Sequence, residues 1–270
     1  MKSFDPCCSE PAFLLLLRLD RNVGNGLKYR AGVDNMEKVV GILGGMGPLA
    51  TVDLFQKIVQ QTEAKTDNDH IHIIIDNNTK VPDRTASIIN SGESPLNCLV
   101  TSAVKLEMMG ADVIIMPCNT AHYFYDAIMP FIQIPFINMI EETAKEIKKN
   151  YKGRKVGLLS TEGTSKSGVY DKTLTEYGID FIKPDERLQP YVTDIIYAVK
   201  KGDTNPDKEG LLKVLESIKN KGAELFILGC TELPIAFQRM DIREKYIDPT
   251  DILARRAIEF VGKRVVGAGR

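Results

Sequence analysis

The feature that most constrains this chain is a stretch it contains twice. Gly110-Ala111-Asp112 leads into the apolar run Val113-Ile114-Ile115-Met116 and then Pro117-Cys118-Asn119-Thr120-Ala121-His122. Gly222-Ala223-Glu224 leads into Leu225-Phe226-Ile227-Leu228 and then Gly229-Cys230-Thr231-Glu232-Leu233-Pro234. Gly110 and Gly222 are 112 positions apart, and so are Cys118 and Cys230. Short continuous apolar runs bounded by turn residues read as buried strands. The two cysteines therefore sit at equivalent places in two copies of one unit. The spacing points to two thiols that face each other across one small substrate.

The rest of the chain follows the same division. Lys155-Val156-Gly157-Leu158-Leu159 restarts the pattern of Lys38-Val39-Val40-Gly41-Ile42-Leu43, with 116 positions between Gly41 and Gly157. Each of these strands runs into a turn of small residues, Gly44-Gly45-Met46-Gly47-Pro48 or Ser160-Thr161-Glu162-Gly163-Thr164. Pro48 suits the first turn of a helix. Apolar positions at Val52, Phe55, Ile58 and Val59 support a helix over residues 49–64. A further helix is expected over 166–177, and a last strand at Tyr246-Ile247-Asp248-Pro249 precedes a closing helix. Strands alternate with helices, and the apolar runs are continuous. That is the pattern of parallel sheets covered by helices on both faces. The fold expected is α/β, with two similar domains related by a pseudo-twofold and a site in the cleft between them. In such sheets ligands bind beyond the carboxyl ends of the strands. The Gly-rich turn, the loop with Asp83 and Arg84, and both cysteine stretches lie at those ends.

Composition excludes some classes of function. The 270 residues carry 35 basic and 36 acidic side chains, so no net basic field invites nucleic acid. No apolar run reaches 18 residues, so no membrane span is expected. The five cysteines are odd in number and form no CxxC pair, which suits free thiols in a reducing, cytoplasmic setting. Residues 1–35 look foreign to the rest, and Met36 immediately precedes the first strand. They read as an extension, without the cleavage site of a signal peptide.

A lone cysteine after a buried strand is usually a small core hydrophobe, and Cys98 is read that way. Cys118 and Cys230 differ because they are equivalent. Each precedes a helix start, where unpaired N–H groups lower a thiol pKa. Two such thiols suggest an acid and a base on opposite faces of one carbon. A zinc site built on Cys118, His122 and Cys230 competes, but no fourth ligand is near in sequence and no metal is expected. Gly41-x-x-Gly44-Gly45-x-Gly47 is not the GxGxxG of dinucleotide sites. Its glycines fit close approach of backbone N–H groups to a small anion. Arg84 is a candidate carboxylate clamp or a surface ion pair with Asp83. Lys200, beside Lys201 at a helix end, carries no signal by position alone.

Four motifs in order resemble the aspartate/glutamate racemase family: Gly44-Gly45-Met46-Gly47-Pro48, Pro82-Asp83-Arg84-Thr85, Pro117-Cys118-Asn119-Thr120-Ala121-His122 and Gly229-Cys230-Thr231-Glu232-Leu233. The resemblance runs from about Met36 to the C-terminus. It is strongest to the aspartate branch, since glutamate racemases carry Cys-Thr-His where this chain has Cys230-Thr231-Glu232. It implies racemisation of aspartate without pyridoxal phosphate or any other cofactor, with Cys118 and Cys230 as the acid/base pair. It implies that Asn119, Thr120 and Thr231 bind the α-carboxylate and amine. Met46 would line the site, and Arg84 and Lys200 would bind carboxylates. It also implies a homodimer of two-domain subunits. The expected domains are 36–136 with 245–270, and 137–244, the last strand and helix returning to the first. Alternatives are a broad-specificity amino-acid racemase, a decarboxylase or isomerase of the same superfamily, and a ligand sensor without activity.

Overall fold

A computed structural model describes residues 37–203 and 207–267. The extension expected over residues 1–35, with Cys7 and Cys8, lies outside the described residues. The first half runs β1 (Val40–Gly44), α1 (Pro48–Gln61), β2 (Ile73–Asn77), α2 (Arg84–Ile89), α3 (Leu96–Met108), β3 (Val113–Ile115), α4 (Tyr125–Ile128) and α5 (Met139–Asn150). The second half runs β4 (Val156–Ser160), α6 (Glu162–Ser167), α7 (Val169–Glu176), β5 (Phe181–Ile182), α8 (Gln189–Lys200) and α9 (Lys208–Asn220). It ends with β6 (Leu225–Gly229), α10 (Leu233–Arg239), β7 (Tyr246–Ile247) and α11 (Pro249–Phe260). No helix among the described residues is long and apolar enough to cross a membrane.

Two sheets form, in the orders β2-β1-β3 and β5-β4-β6-β7, and every named pairing is parallel. Alternate strand residues point to opposite faces, and both faces are covered. In the first sheet Leu43 and Ile114 meet Leu99 and Leu106 of α3, while Ile42 and Val113 meet Leu54 and Ile58 of α1. In the second, Leu159 and Phe226 meet α8 and α9, while Val156 and Leu158 meet Tyr170 and Leu174 of α7. This double burial is why the strands read as unbroken apolar runs.

The repeat survives as strand register. Gly41 pairs with Ile114 and Gly157 with Phe226, so the two pairings are offset by the same 116 and 112 positions found in the sequence. The next neighbours correspond as well: Ile114 bridges Phe136, and Phe226 pairs with Tyr246. Tyr246 and Ile247, expected with the first domain, thus belong to the second sheet. They fill the edge of β6 that residues 134–137 fill on β3. The closing helix does reach the first sheet. Leu253, Ala254, Ala257 and Ile258 of α11 pack with Val40, Ile42 and Leu54. In return Ile140, Ala144 and Ile147 of α5 pack with Val156, Leu158 and Leu225. Each half lends its last helix to the other, which ties the two sheets into one unit.

Two local expectations shift. On α1 the buried residues are Ala50, Thr51, Leu54 and Ile58, while Val52 and Phe55 are 58% and 40% exposed. The helix offers two apolar stripes, and the contact with α11 selects the one nearer Leu54. The helix expected over 166–177 is broken into α6 and α7 at Gly168, whose φ of 68° suits glycine.

Candidate active site

Both cysteine stretches leave the carboxyl ends of equivalent strands, β3 and β6, and enter the same space. One small pocket is lined by Met46, Asp83, Arg84, Thr85, Cys118, Asn119, Thr120, Lys200, Cys230, Thr231 and Glu232. All eight residues singled out in the sequence line it. Its volume is ≈ 10 Å³, about the room of one water.

The loops reach this point for identifiable reasons. Gly45 has φ 93° and lies against Asn78, whose backbone a Cβ would meet at 2.3 Å. Its N–H donates to Thr51 Oγ1 at 2.9 Å, fixing the turn that presents Met46. Asp83 caps α2 by accepting from the Ala86 N–H at 2.7 Å, so its carboxylate holds the loop rather than Arg84. The Arg84 guanidinium donates to the carbonyls of Val81 and Pro82 at 3.2 and 3.1 Å. Its buried Nε has no hydrogen-bond partner.

His122 is a structural clamp. Its Nδ1–H donates to the Cys118 carbonyl at 2.8 Å, and Nε2 accepts from the Met139 N–H at 3.1 Å. Both ring nitrogens are therefore engaged, which removes His122 from the zinc reading. The segment Thr120–Phe124 is a 3₁₀ helix, so Cys118 and His122 do not share an α-helical face. Burial pushes the imidazole from 6.5 down to about 4, against the pull of the Cys118 carbonyl. The sign follows by linkage. Below about pH 6.5 the unfolded chain binds a proton that the folded chain refuses, so stability falls toward pH 4 by roughly 1.4 kcal/mol per unit. Urea unfolding across this range should show that slope, and a His122→Asn variant should flatten it. An equal slope in the variant would overturn the assignment.

The second half supports the first-half residues across the cleft. Tyr170, fully buried, donates to Asn119 Oδ1 at 2.7 Å, and the buried Asn119 Nδ2 has no partner. Thr120 Oγ1 lies 3.0 Å from Thr161 Oγ1 and 2.8 Å from Thr164 Oγ1. Thr161 also caps α6 by accepting from the Thr164 N–H. Gly163 lets α6 approach α2, since a Cβ there would meet Thr85 at 2.6 Å. Thr161, Gly163 and Thr164 lie on the turn after β4, the counterpart of the Gly-rich turn, whereas Tyr170 comes from α7. That equivalence is the sequence signal that could have found the turn residues.

Glu232 was visible in its motif but carried no role there. It is buried, and its Oε2 accepts from Cys230 Sγ at 2.9 Å and from Thr231 Oγ1 at 3.1 Å. Burial, then the Glu232 carboxylate, push the Cys230 thiol well above its ordinary range, with Lys200 pulling the other way. The expected lowering by a helix end fails at Cys230. Glu232, at the N-cap of α10, makes no side-chain cap to the helix start and instead holds its carboxylate in hydrogen-bond contact with the thiol. Cys230 is thus a thiol that hydrogen-bonds a carboxylate. Burial works against the charge of Lys200, but Cys230, Glu232 and Cys118 outweigh it and raise the ammonium pKa. The site can therefore hold a fixed cation beside a thiol–carboxylate pair. Among the described residues no group of three or more His, Cys, Asp and Glu is set to hold a metal ion.

Known proteins share this arrangement of elements. The sequence model of the family described as Asp/Glu/Hydantoin racemase matches residues 43–257. The broad specificity amino-acid racemase RacX of Bacillus subtilis (strain 168) is 30% identical over 224 residues, 82% of this chain and 96% of that protein. The structure of an aspartate racemase from Picrophilus torridus aligns with a TM-score of 0.75 at 36% identity, covering 84% of this chain and 96% of that one. An aspartate racemase homologue from Pyrococcus horikoshii OT3 aligns with a TM-score of 0.67 at 28% identity, covering 84% and 99%.

Proposed function

The chain belongs to the Asp/Glu/hydantoin racemase family, and from that premise we propose that it interconverts L- and D-aspartate by passing the α-proton between Cys118 and Cys230. The observation that carries this reading is the single pocket shared by thiols from equivalent ends of the two halves. One thiolate removes the proton from one face of the α-carbon, and the other thiol returns one to the opposite face. Arg84 and Lys200 hold the carboxylates. Asn119 donates through its unpartnered Nδ2, and Thr231 and Thr120 complete the α-carboxylate and amine contacts. The Thr120 hydroxyl already bonds Thr161 and Thr164, so its substrate contact runs through the backbone. Met46 closes the pocket beside the α-carbon.

Loss of the α-proton builds negative charge on the α-carboxylate as an enolate. Fixed donors and cations in a dry cleft stabilise that charge more than the ground state. Deuterium entry at the α-carbon of L-aspartate in heavy water, followed by chiral chromatography, tests the reading. Deuterated D-aspartate is expected, and binding without exchange would overturn it. Similarity to a broad specificity racemase favours a second reading, in which side chains other than aspartate's are accepted. We further propose a homodimer in a reducing compartment, which leaves both thiols free. Val52 and Phe55 leave an exposed apolar strip on α1 for the partner. Sedimentation at micromolar concentration checks this, and a monomer would count against it.

A further inference from the structure

The pocket around the thiols is too small for an amino acid, yet it does not end blindly. A second cavity of ≈ 240 Å³ lies directly beside it. The two share Asp83, Arg84, Lys200, Thr231 and Glu232 in their walls. The larger cavity therefore opens off the groups that surround the reacting carbon. Whatever hangs from that carbon has this space to enter.

The two walls differ in chemistry. Beyond the shared residues, the annex is lined by Pro48, Leu49, Ala50, Tyr197, Val199 and Ile235 together with Gly47, and adds no further charge. These residues come from both halves: the start of α1, the end of α8 and the first turns of α10. Val199 and Ala50 are buried, while Leu49 is 55% exposed and brings the annex to the surface. An aspartate side chain ends at the cations on the near wall and leaves the far wall uncovered. A longer uncharged side chain would cover it and remove apolar surface from water.

We infer that this annex is a side-chain subsite, and that the chain also racemises α-amino acids with apolar side chains longer than that of aspartate. The inference rests on the two-thiol racemase reading and adds a substrate class to it. Selection arises from the annex, while the α-carboxylate and the α-proton stay with the groups already described.

The test measures α-carbon deuterium entry with L-aspartate, L-methionine and L-leucine on the full chain and on two variants that fill the annex. Leu49→Trp acts from the exposed rim and Ile235→Phe from the α10 wall. The wild type is expected to exchange all three substrates. In each variant the rate ratio of methionine or leucine to aspartate should fall about tenfold or more, as expected when apolar pocket contacts are lost. Exchange of aspartate alone by the wild type would overturn the subsite and leave the racemase reading standing. So would exchange of all three with ratios untouched by both variants. Exchange of none of the three would overturn the racemase reading and this inference with it.

Discussion

Replacing Cys118 with Ala, or Cys230 with Ala, should abolish interconversion of the enantiomers, with a loss of about 10²–10⁴-fold or more per site. The reasoning is geometric. In the proposed mechanism one thiolate serves each face of the α-carbon, so inversion needs both. The enantiomers have equal free energy, and kcat/KM must therefore fall equally in the two directions. A finer signature separates a lost base from a damaged fold. With one thiol left, a proton can still leave and return on that thiol's face. Each variant should then exchange deuterium slowly into one enantiomer with retention, and the two variants should favour opposite enantiomers. Racemisation by either variant near the wild-type rate would refute the pairing. Identical enantiomer preference in both would refute the assignment of one thiol to each face.

Much of this site was legible because the chain repeats. The offsets of 116 and 112 residues seen in sequence reappear as strand register, so equivalent cysteines had to emerge at equivalent strand ends. Burial of both sheet faces made the strands readable as continuous apolar runs. What stayed hidden depended on contacts distant in sequence. Tyr246 and Ile247 form too short a run to declare which sheet they join, and only the open edge of β6 decides it. Val52 and Phe55 fit a helical stripe as well as Leu54 and Ile58 do, and packing against α11 selects between them. Tyr170 and Asn119 are 51 positions apart, and no local pattern announces their hydrogen bond.

The protonation of the thiols was the least legible part, because it is set by the balance of burial and charge around each sulfur. A helix start after Cys230 suggested a lowered pKa. Burial of the sulfur, and then the buried carboxylate of Glu232 two residues on, reverse the sign. A dipole effect of the order of 1 kcal/mol at a helix end is easily outweighed by a full charge in hydrogen-bond contact and by loss of solvent. Motif position identified the residue, and only the contact identified what it does to the proton.

Glu232→Gln separates two roles that this contact could serve. As a like charge, the carboxylate raises the Cys230 pKa, so removing it must lower that pKa and increase the thiolate population near neutral pH. As the acceptor of the Cys230 proton at 2.9 Å, the carboxylate is needed to turn a buried thiol into a base without passing its proton to solvent. Gln keeps the size and an acceptor oxygen but cannot take the proton. We expect the thiolate absorbance of the variant to appear at lower pH than in the wild type. We expect kcat/KM to fall by about 10²-fold in both directions over the same range. The two readouts move oppositely only if Glu232 receives the proton. Turnover that rises with the thiolate population would mean that the carboxylate merely holds Cys230 back, and would move the general base elsewhere in the pocket.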